Sequence, residues 1–398
     1  MTTEDRKPVR RPIITRERRR RVLVGSAGML AVGVAMPRAA LAKDAIEVGA
    51  VAALTGYLAG YDANFLNGLK LAVAAINGDG GADGHRINLH VLDGASSETT
   101  GTTATNQLLN QYSVTAMLNG ASSATSVAIQ PLLAEANVPM IILSQLPPDA
   151  KWAFLSTTAF SRVMELELQF TKKYLKAKRI GIIYNLTPAA QSARKLLTEL
   201  APKRGLEVIT TQGVETTATD FTPQLAAFKD ANVDAILDFM TGPAHILEAK
   251  SATTVGLKAP LVMGLDDTPT FQQASSAYAN SFLSAIPVQV FPDIANAPMK
   301  AAAGAFLDEH KKAGLDPAGV QAAASGWDAP HMLAAAIAKA GSTKGDAIRD
   351  ALATLDYQGA VTHWRFTDTY HTGQEKSEAL QIGKFENGAM KVVFRSEA

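Results

Sequence analysis

The chain has 398 residues and contains no cysteine, and its 38 Lys and Arg residues against 37 Asp and Glu give a formal net charge of +1. This length predicts two or three domains, and a composition of 47% hydrophobic and 19% charged residues excludes collagen-like and wholly disordered proteins. The lack of cysteine excludes disulfides, thiolate metal sites, iron–sulfur clusters and cysteine nucleophiles.

Residues 1–42 have the composition of an export signal. Ten Lys and Arg residues stand against three acids there, and the basic stretch ends at Arg21. The 15 apolar residues that follow are too few to span a bilayer and suit the hydrophobic region of a signal peptide. Ala40-Leu41-Ala42 is a small-residue cleavage site, so we expect cleavage before Lys43 and a periplasmic mature chain. A basic tail beside a retained membrane anchor is the alternative.

The same segment predicts the export route and the charge of the mature chain. Arg19-Arg20, followed by Val22-Leu23, matches the twin-arginine consensus in part, so we favour that route over general secretion. Without residues 1–42 the chain has a net charge of −6. An acidic mature chain argues against nucleic acid as a partner.

Short β-rich segments alternate with longer amphipathic segments from residue 46 onward. In 65–76 the apolar residues recur with a period near 3.6, as a helix with one buried face requires. The predicted strands are 46–54, 87–92, 114–118, 138–143, 179–184, 206–210, 235–239, 260–263, 364–366 and 380–385. The predicted helices are 65–76, 126–136, 191–200, 221–229, 244–255, 299–312, 320–340 and 346–354. The alternation predicts an α/β fold with parallel sheets, and its repetition predicts two similar lobes.

The segment 119–125 (NGASSAT) lies between a predicted strand and a predicted helix. Hydroxyl groups of Ser122 and Ser123 and free backbone N–H groups converge at this helix start, which suits a carboxylate or phosphate. Helix capping by one of the serines, without any ligand, explains the pattern equally well. The segment also approximates the G-x-S-x-G turn of serine hydrolases, with three histidines downstream, but Ala124 replaces its last glycine. A hydrolase is therefore the distant alternative.

Asp266 and Asp267 follow the predicted strand 260–263, at the carboxyl end where open α/β sheets bind ligands. Paired carboxylates could act as general acid and base, bind a divalent metal or hold an ammonium group. A solvated cap for the segment 269–278 is the alternative. The seven histidines show no HExxH spacing, so we expect neither metal catalysis nor a cofactor.

Several short motifs are spread over the mature chain. They are Ile46-Glu47-Val48-Gly49, Leu54-Thr55-Gly56, Asn67-Gly68, Ile76-Asn77, Gly120-Ala121-Ser122-Ser123-Ala124-Thr125 and Val138-Pro139-Met140-Ile141. Together they resemble the leucine/isoleucine/valine-binding family of periplasmic receptors for ABC importers. The resemblance covers nearly all of the mature chain and is densest over 46–142.

The resemblance implies a type I periplasmic-binding-protein fold. This is an α/β fold of two Rossmann-like lobes with parallel central sheets, joined by three crossovers, with the ligand in the cleft. The implied lobes are 43–162 with 287–370, and 163–286 with 371–398. The protein would be a monomer that passes its ligand to an ABC permease in the inner membrane.

The resemblance also implies a ligand site. Its residues would be Tyr61, Ser122, Ser123, Ser144, Gln145, Leu146, Thr241, Asp266 and Ala322. The ligand carboxylate would rest on Ser122 and the ammonium on Asp266, while Tyr61 covers the cleft. Thr241 and Ala322 stand where the family has aromatic residues, which implies a wider pocket.

The implied function is therefore a receptor and not an enzyme. Its ligand would be a small amphipathic carboxylate, preferably a hydrophobic or aromatic amino acid. An aromatic carboxylate without an amino group is the alternative. Recognition of an α-amino group would then depend on Asp266.

Overall fold

The computed structural model describes residues 43–147, 150–240, 243–264, 266–294, 296–374 and 380–395. The expected signal peptide at 1–42 and the expected site residue Thr241 lie outside the described residues. Within the described parts of the chain, no helix combines the length and the apolar character needed to cross a bilayer.

The described residues form fourteen strands and twelve α-helices. The strands are β1 (Lys43–Ala52), β2 (His85–Asp93), β3 (Ala116–Asn119), β4 (Met140–Ile142), β5 (Ala153–Leu155), β6 (Arg179–Asn185), β7 (Glu207–Val214), β8 (Ala235–Phe239), β9 (Leu261–Met263), β10 (Ser281–Ala285), β11 (Asp356–Gln358), β12 (His363–Arg365), β13 (Gln381–Glu386) and β14 (Ala389–Arg395). The helices are α1 (Ala59–Gly78), α2 (Glu98–Gln107), α3 (Ser123–Glu135), α4 (Phe160–Lys173), α5 (Pro188–Leu200), α6 (Thr222–Asp230), α7 (Pro243–Val255), α8 (Thr268–Ala277), α9 (Pro287–Val290), α10 (Ala297–Lys312), α11 (Val320–Ala340) and α12 (Gly345–Leu352).

Two large sheets divide the molecule into two lobes. In lobe 1 the strands run β2-β1-β3-β4-β5 and are all parallel. In lobe 2 the order is β14-β13-β10-β9-β8-β6-β7, with β13 and β14 antiparallel and the other five strands parallel. Central strands such as β3 and β8 are buried along their whole length, as parallel strands covered on both faces by helices must be. The α/β prediction is confirmed.

Within the described residues the chain passes between the lobes three times. It leaves lobe 1 after β5, returns after β10 and leaves again after β12. On the return, α11 packs against α1 on lobe 1. The two helices approach closely because glycines face the opposite backbone: a Cβ on Gly68 would lie 2.0 Å from the Ala323 carbonyl oxygen, and one on Gly326 would lie 2.1 Å from that of Phe65.

Candidate functional site

The carboxyl ends of β1 and β3 meet the start of α3 in a small cleft of lobe 1. Ser122 caps α3, because its Oγ accepts hydrogen bonds from the Thr125 backbone N–H at 3.2 Å and the Thr125 hydroxyl at 2.9 Å. Both bonds use the oxygen, so the Ser122 O–H is left to donate to a ligand. The first N–H groups of α3, beginning with Ser123, have no partner inside the helix and add further donors.

Asp62 fixes the shape of this donor cleft. It is fully buried on α1, and its carboxylate accepts the backbone N–H of Ala53 at 2.6 Å and of Ala121 at 2.8 Å. A Cβ on Gly120 would lie 2.3 Å from Asp62 Oδ2, so only glycine lets the β3–α3 loop approach this closely. Burial raises the pKa of Asp62 to about 6. Sequence reasoning missed Asp62, although it shares a helical face with Phe65.

The three predicted site residues that follow β4 have different surroundings, and only Ser144 lies beside the donor cleft. The Ser144 hydroxyl lies 2.9 Å from that of Ser126, one turn into α3, which places Ser144 beside the donor cleft. Gln145 Oε1 instead accepts the Phe160 backbone N–H at 3.1 Å and so caps α4. Leu146 is half-buried and packs against the hydrophobic core.

Tyr61 links this cleft to the acidic residues of lobe 2. It is half-buried in the first turn of α1. Burial raises its pKa well above the ordinary value, and the charges of Asp267, Asp266 and Asp62 raise it further. The Tyr61 hydroxyl therefore lies within electrostatic range of carboxylates from both lobes, including the acidic pair 266–267.

Both carboxylate oxygens of Asp266 already have hydrogen-bond partners in lobe 2. It is only 3% exposed, its Oδ2 lies 2.5 Å from His245 Nδ1, and its Oδ1 accepts the Asp267 backbone N–H at 2.7 Å. On the other side, His245 Nε2 lies 3.0 Å from Asp238 Oδ2. Burial alone would lower the pKa of His245, but the charges of Asp238 and Asp266 raise it well above its ordinary value. The carboxylates of Asp238 and Asp266 therefore lie on either side of the His245 ring and favour its protonated form.

Two more acids lie fully buried around this group. Glu248 and Glu167 have no exposed surface, and burial raises the pKa of each well above its ordinary value, which favours the neutral acid. The Ser284 hydroxyl donates to Glu167 Oε1 at 2.6 Å. Sequence reasoning missed His245 and its partners. The available signal was the position of His245 just beyond β8, beside the strand end that precedes Asp266.

Asp267 is the acid that faces the lobe 1 elements. The Gln321 backbone N–H, in the first turn of α11, lies close enough to its carboxylate to lower the pKa of Asp267. Burial and the charge of Asp266 raise the pKa of Asp267 to about 7. Its Oδ1 is buried without a hydrogen-bond partner, and so is Oε1 of Gln321. Ala322, next along α11, is fully buried.

The histidines that could complete a hydrolase triad are engaged elsewhere. His331 Nδ1 lies 2.8 Å from the Trp327 carbonyl oxygen, and His371 Nδ1 lies 2.6 Å from the Ala150 carbonyl oxygen. The third, His363, has its Nε2 2.5 Å from Asp356 Oδ1. Ser122 Oγ is bonded to Thr125 and not to a histidine. Among the described residues, no group of three or more His, Asp or Glu side chains is arranged to hold a metal ion.

Comparison with known proteins agrees with this architecture. The family described as periplasmic binding protein matches residues 45–389. The chain is 24% identical over 358 residues to the Leu/Ile/Val-binding protein BraC3 of Rhizobium johnstonii, covering 88% of this chain and 94% of that protein. The Escherichia coli Leu/Ile/Val-binding protein is 23% identical over 57% of this chain and 63% of its own length.

Two solved structures share the fold at low identity. One is the branched-chain amino acid binding protein LivJ of Streptococcus pneumoniae in complex with isoleucine, with a TM-score of 0.73, 23% identity and coverage of 88% of this chain and 100% of that one. The other is a solute-binding protein of Rhodopseudomonas palustris in complex with 4-hydroxybenzoate, with a TM-score of 0.74, 18% identity and coverage of 88% and 96%. The chain therefore belongs to the periplasmic binding protein family, as a solute-binding receptor and not an enzyme, and the resemblance to its Leu/Ile/Val-binding members is confirmed.

Proposed function

We propose that this receptor is exported, binds a hydrophobic or aromatic amino acid between its lobes, and delivers it as a monomer to an ABC permease in the inner membrane. The lobes that close on the ligand would be 43–162 with 287–370, and 163–286 with 371–398. One observation carries the proposal: hydrogen-bond donors line the lobe 1 cleft, while carboxylates of lobe 2 lie near Tyr61.

The donor side suits a carboxylate. Ser122 has an O–H to give, and the start of α3 adds unpaired N–H groups at the positive end of the helix dipole. Ser144, beside Ser126, extends the same polar edge. A small organic anion bound here would exchange its water for preorganised donors, so it would lose little on leaving solvent.

The acidic side suits an ammonium group. A cation taken into a closed cleft without a partner carries a large desolvation cost, and the pair 266–267 supplies the compensating charge. The half-buried Tyr61 ring would cover the apolar part of the ligand. Support also comes from the relative whose structure contains isoleucine.

An aromatic carboxylate without an amino group is the second candidate. The pairing of Asp266 with His245 favours it, since that carboxylate is already partly neutralised. The relative that holds 4-hydroxybenzoate shows that this fold accepts such a ligand.

Titration calorimetry with matched ligands separates the two. We would titrate the twenty L-amino acids together with their deaminated acids, for example L-phenylalanine with 3-phenylpropionate and L-leucine with 4-methylpentanoate. Tighter binding of an amino acid than of its deaminated acid supports the proposal. Binding of the deaminated acids or 4-hydroxybenzoate alone would replace it with the second candidate, and mass spectrometry of ligand retained after purification gives an independent answer.

A further inference from the structure

The acidic pair contains two carboxylates that differ in what they already bind. Both oxygens of Asp266 have protein partners, His245 on one and the Asp267 backbone N–H on the other. The residue is almost fully buried, and its carboxylate is paired with the His245 ring. An ammonium group arriving in the cleft would have to compete with His245 for this carboxylate.

Asp267 has the opposite situation. One oxygen, Oδ1, is buried and has no partner. The backbone N–H of Gln321 is close enough to lower the pKa of Asp267. The Gln321 side chain is 2% exposed, and its Oε1 also has no partner. Buried acceptors without donors are costly, because they have given up water and received nothing in exchange.

Each residue has a buried oxygen that lacks a donor, and an ammonium group carries three donors. We propose that Asp267 and Gln321 together form the seat of the ligand ammonium group, and that His245 withdraws Asp266 from this role. The inference rests on the proposed function, because it assumes a ligand with a cationic nitrogen. It also connects the lobes, since Asp267 is the N-cap of α8 in lobe 2 and Gln321 lies in the first turn of α11 on lobe 1. The ammonium group would therefore favour closure of the lobes.

The test is the ratio of two affinities measured on one protein. For each variant we would divide the dissociation constant of 3-phenylpropionate by that of L-phenylalanine, and do the same for 4-methylpentanoate and L-leucine. General damage to the fold affects both members of a pair and cancels in the ratio. The variants are Asp267→Asn, Gln321→Met and Asp266→Asn.

We expect Asp267→Asn to lower the ratio about 10- to 150-fold, because a charge-assisted hydrogen bond is lost, and Gln321→Met to lower it several-fold. Asp266→Asn should lower it less than Asp267→Asn does. The exposed Asp316, which caps the turn before α11, provides the matched control: Asp316→Asn removes a nearby charge and should leave the ratio unchanged.

The two proposals fail in different ways. If Asp266→Asn lowers the ratio and Asp267→Asn does not, the ammonium seat is Asp266, while the amino-acid receptor stands. If the wild-type receptor binds the deaminated acids and no amino acid, the proposed function itself fails. If Asp316→Asn lowers the ratio as much as Asp267→Asn does, the effect of Asp267 is long-range electrostatics and not a specific contact. That result would overturn the inference.

Discussion

Asp267 gives the receptor a charge that changes near neutral pH. Burial and the charge of Asp266 raise its pKa to about 7, with a smaller contribution from Asp316, while the Gln321 N–H opposes the shift. In the empty site Asp267 is therefore mostly protonated below pH 7. An ammonium group favours the ionised form, so amino-acid binding should release a proton at acidic pH.

The affinity for an amino acid should consequently rise as the pH increases from about 5.5 to 7, by up to tenfold per pH unit, and level off above 7. Calorimetry in two buffers of different ionisation enthalpy measures the released proton directly. Asp267→Asn should abolish both the slope and the proton release. If both persist in that variant, Asp267 is not the titrating group.

Ser122 is expected to hold an anion and not to attack a carbonyl. Replacing it with alanine removes one hydroxyl donor but keeps the N–H groups of α3, so the affinity for an amino acid should fall about fivefold, equivalent to about 1 kcal/mol. The lost cap should lower the free energy of unfolding by about 1 kcal/mol as well. Calorimetry and urea unfolding measure the two effects.

The N-cap of another helix, α10, provides a control in which stability should change and affinity should not. Asn296 caps α10 with the same geometry, its side chain accepting the Met299 N–H at 3.2 Å. Asn296→Ala should lose similar stability and no affinity. Turnover of ester substrates by the wild type, abolished by Ser122→Ala, would instead restore the hydrolase interpretation.

The packing of α1 against α11 positions two residues of the proposed ligand site, because α1 carries Tyr61 and α11 carries Gln321. Gly68→Ala would place a methyl group 2.0 Å from the Ala323 carbonyl oxygen. Because this oxygen belongs to the backbone, the clash can be relieved only if α11 moves. We expect a loss of about 1–3 kcal/mol in the free energy of unfolding and weaker amino-acid binding.

Gly78 is the control on the same helix. It is exposed at the end of α1, and nothing lies within 4 Å of an added Cβ. Gly78→Ala should be neutral or stabilise by up to about 1 kcal/mol, because alanine has the higher helix propensity. Equal effects of the two substitutions in urea unfolding would show that helix propensity, and not the contact with α11, controls the stability of α1.

The elements that could be predicted are those with strong periodicity. The strand at 235–239 and the helix at 320–340 match β8 and α11, since a buried apolar run and a long Ala-rich face are unambiguous. The helix α2 was missed because its sequence ETTGTTATNQ is rich in Thr and Gly, and it forms through its Ser97 cap and its packing against α3. The strand β5 was also missed, because its three residues are too few to show the alternation of a strand.

The site was predictable only in part, for the same physical reason. Ser122 could be predicted at a helix start because the signal for a helix N-terminus depends only on residues that are close in sequence. The partnership of Asp266 with His245 joins residues 21 positions apart, and that of Asp62 with the Ala121 N–H joins residues 59 positions apart. Such contacts depend on how strand ends converge in the sheet, which periodicity does not specify. The lack of a hydrogen-bond partner for Asp267 Oδ1 likewise depends on the tertiary structure and not on local sequence.

At the scale of the whole molecule, the first strand begins where the leader is expected to end. β1 starts at Lys43, whose ammonium lies 2.8 Å from Asp83, and its register with β2 begins at His85. Cleavage before Lys43 would therefore leave every described strand pairing intact. The intact mass of protein released from the periplasm should fit a chain that begins at Lys43. Recovery of only the full-length chain, in membranes or cytosol, would contradict this.

The export route can be tested on the leader with matched substitutions. If the twin-arginine route is used, Arg19-Arg20→Lys-Lys should block export even though the charge is unchanged, because that route reads the arginine pair and not its charge. The control is Arg10-Arg11→Lys-Lys, an identical change nine residues upstream, which should be exported normally. Fractionation and intact mass report both outcomes. General secretion needs only a positive charge before the apolar run, so normal export of both variants would assign the receptor to that route.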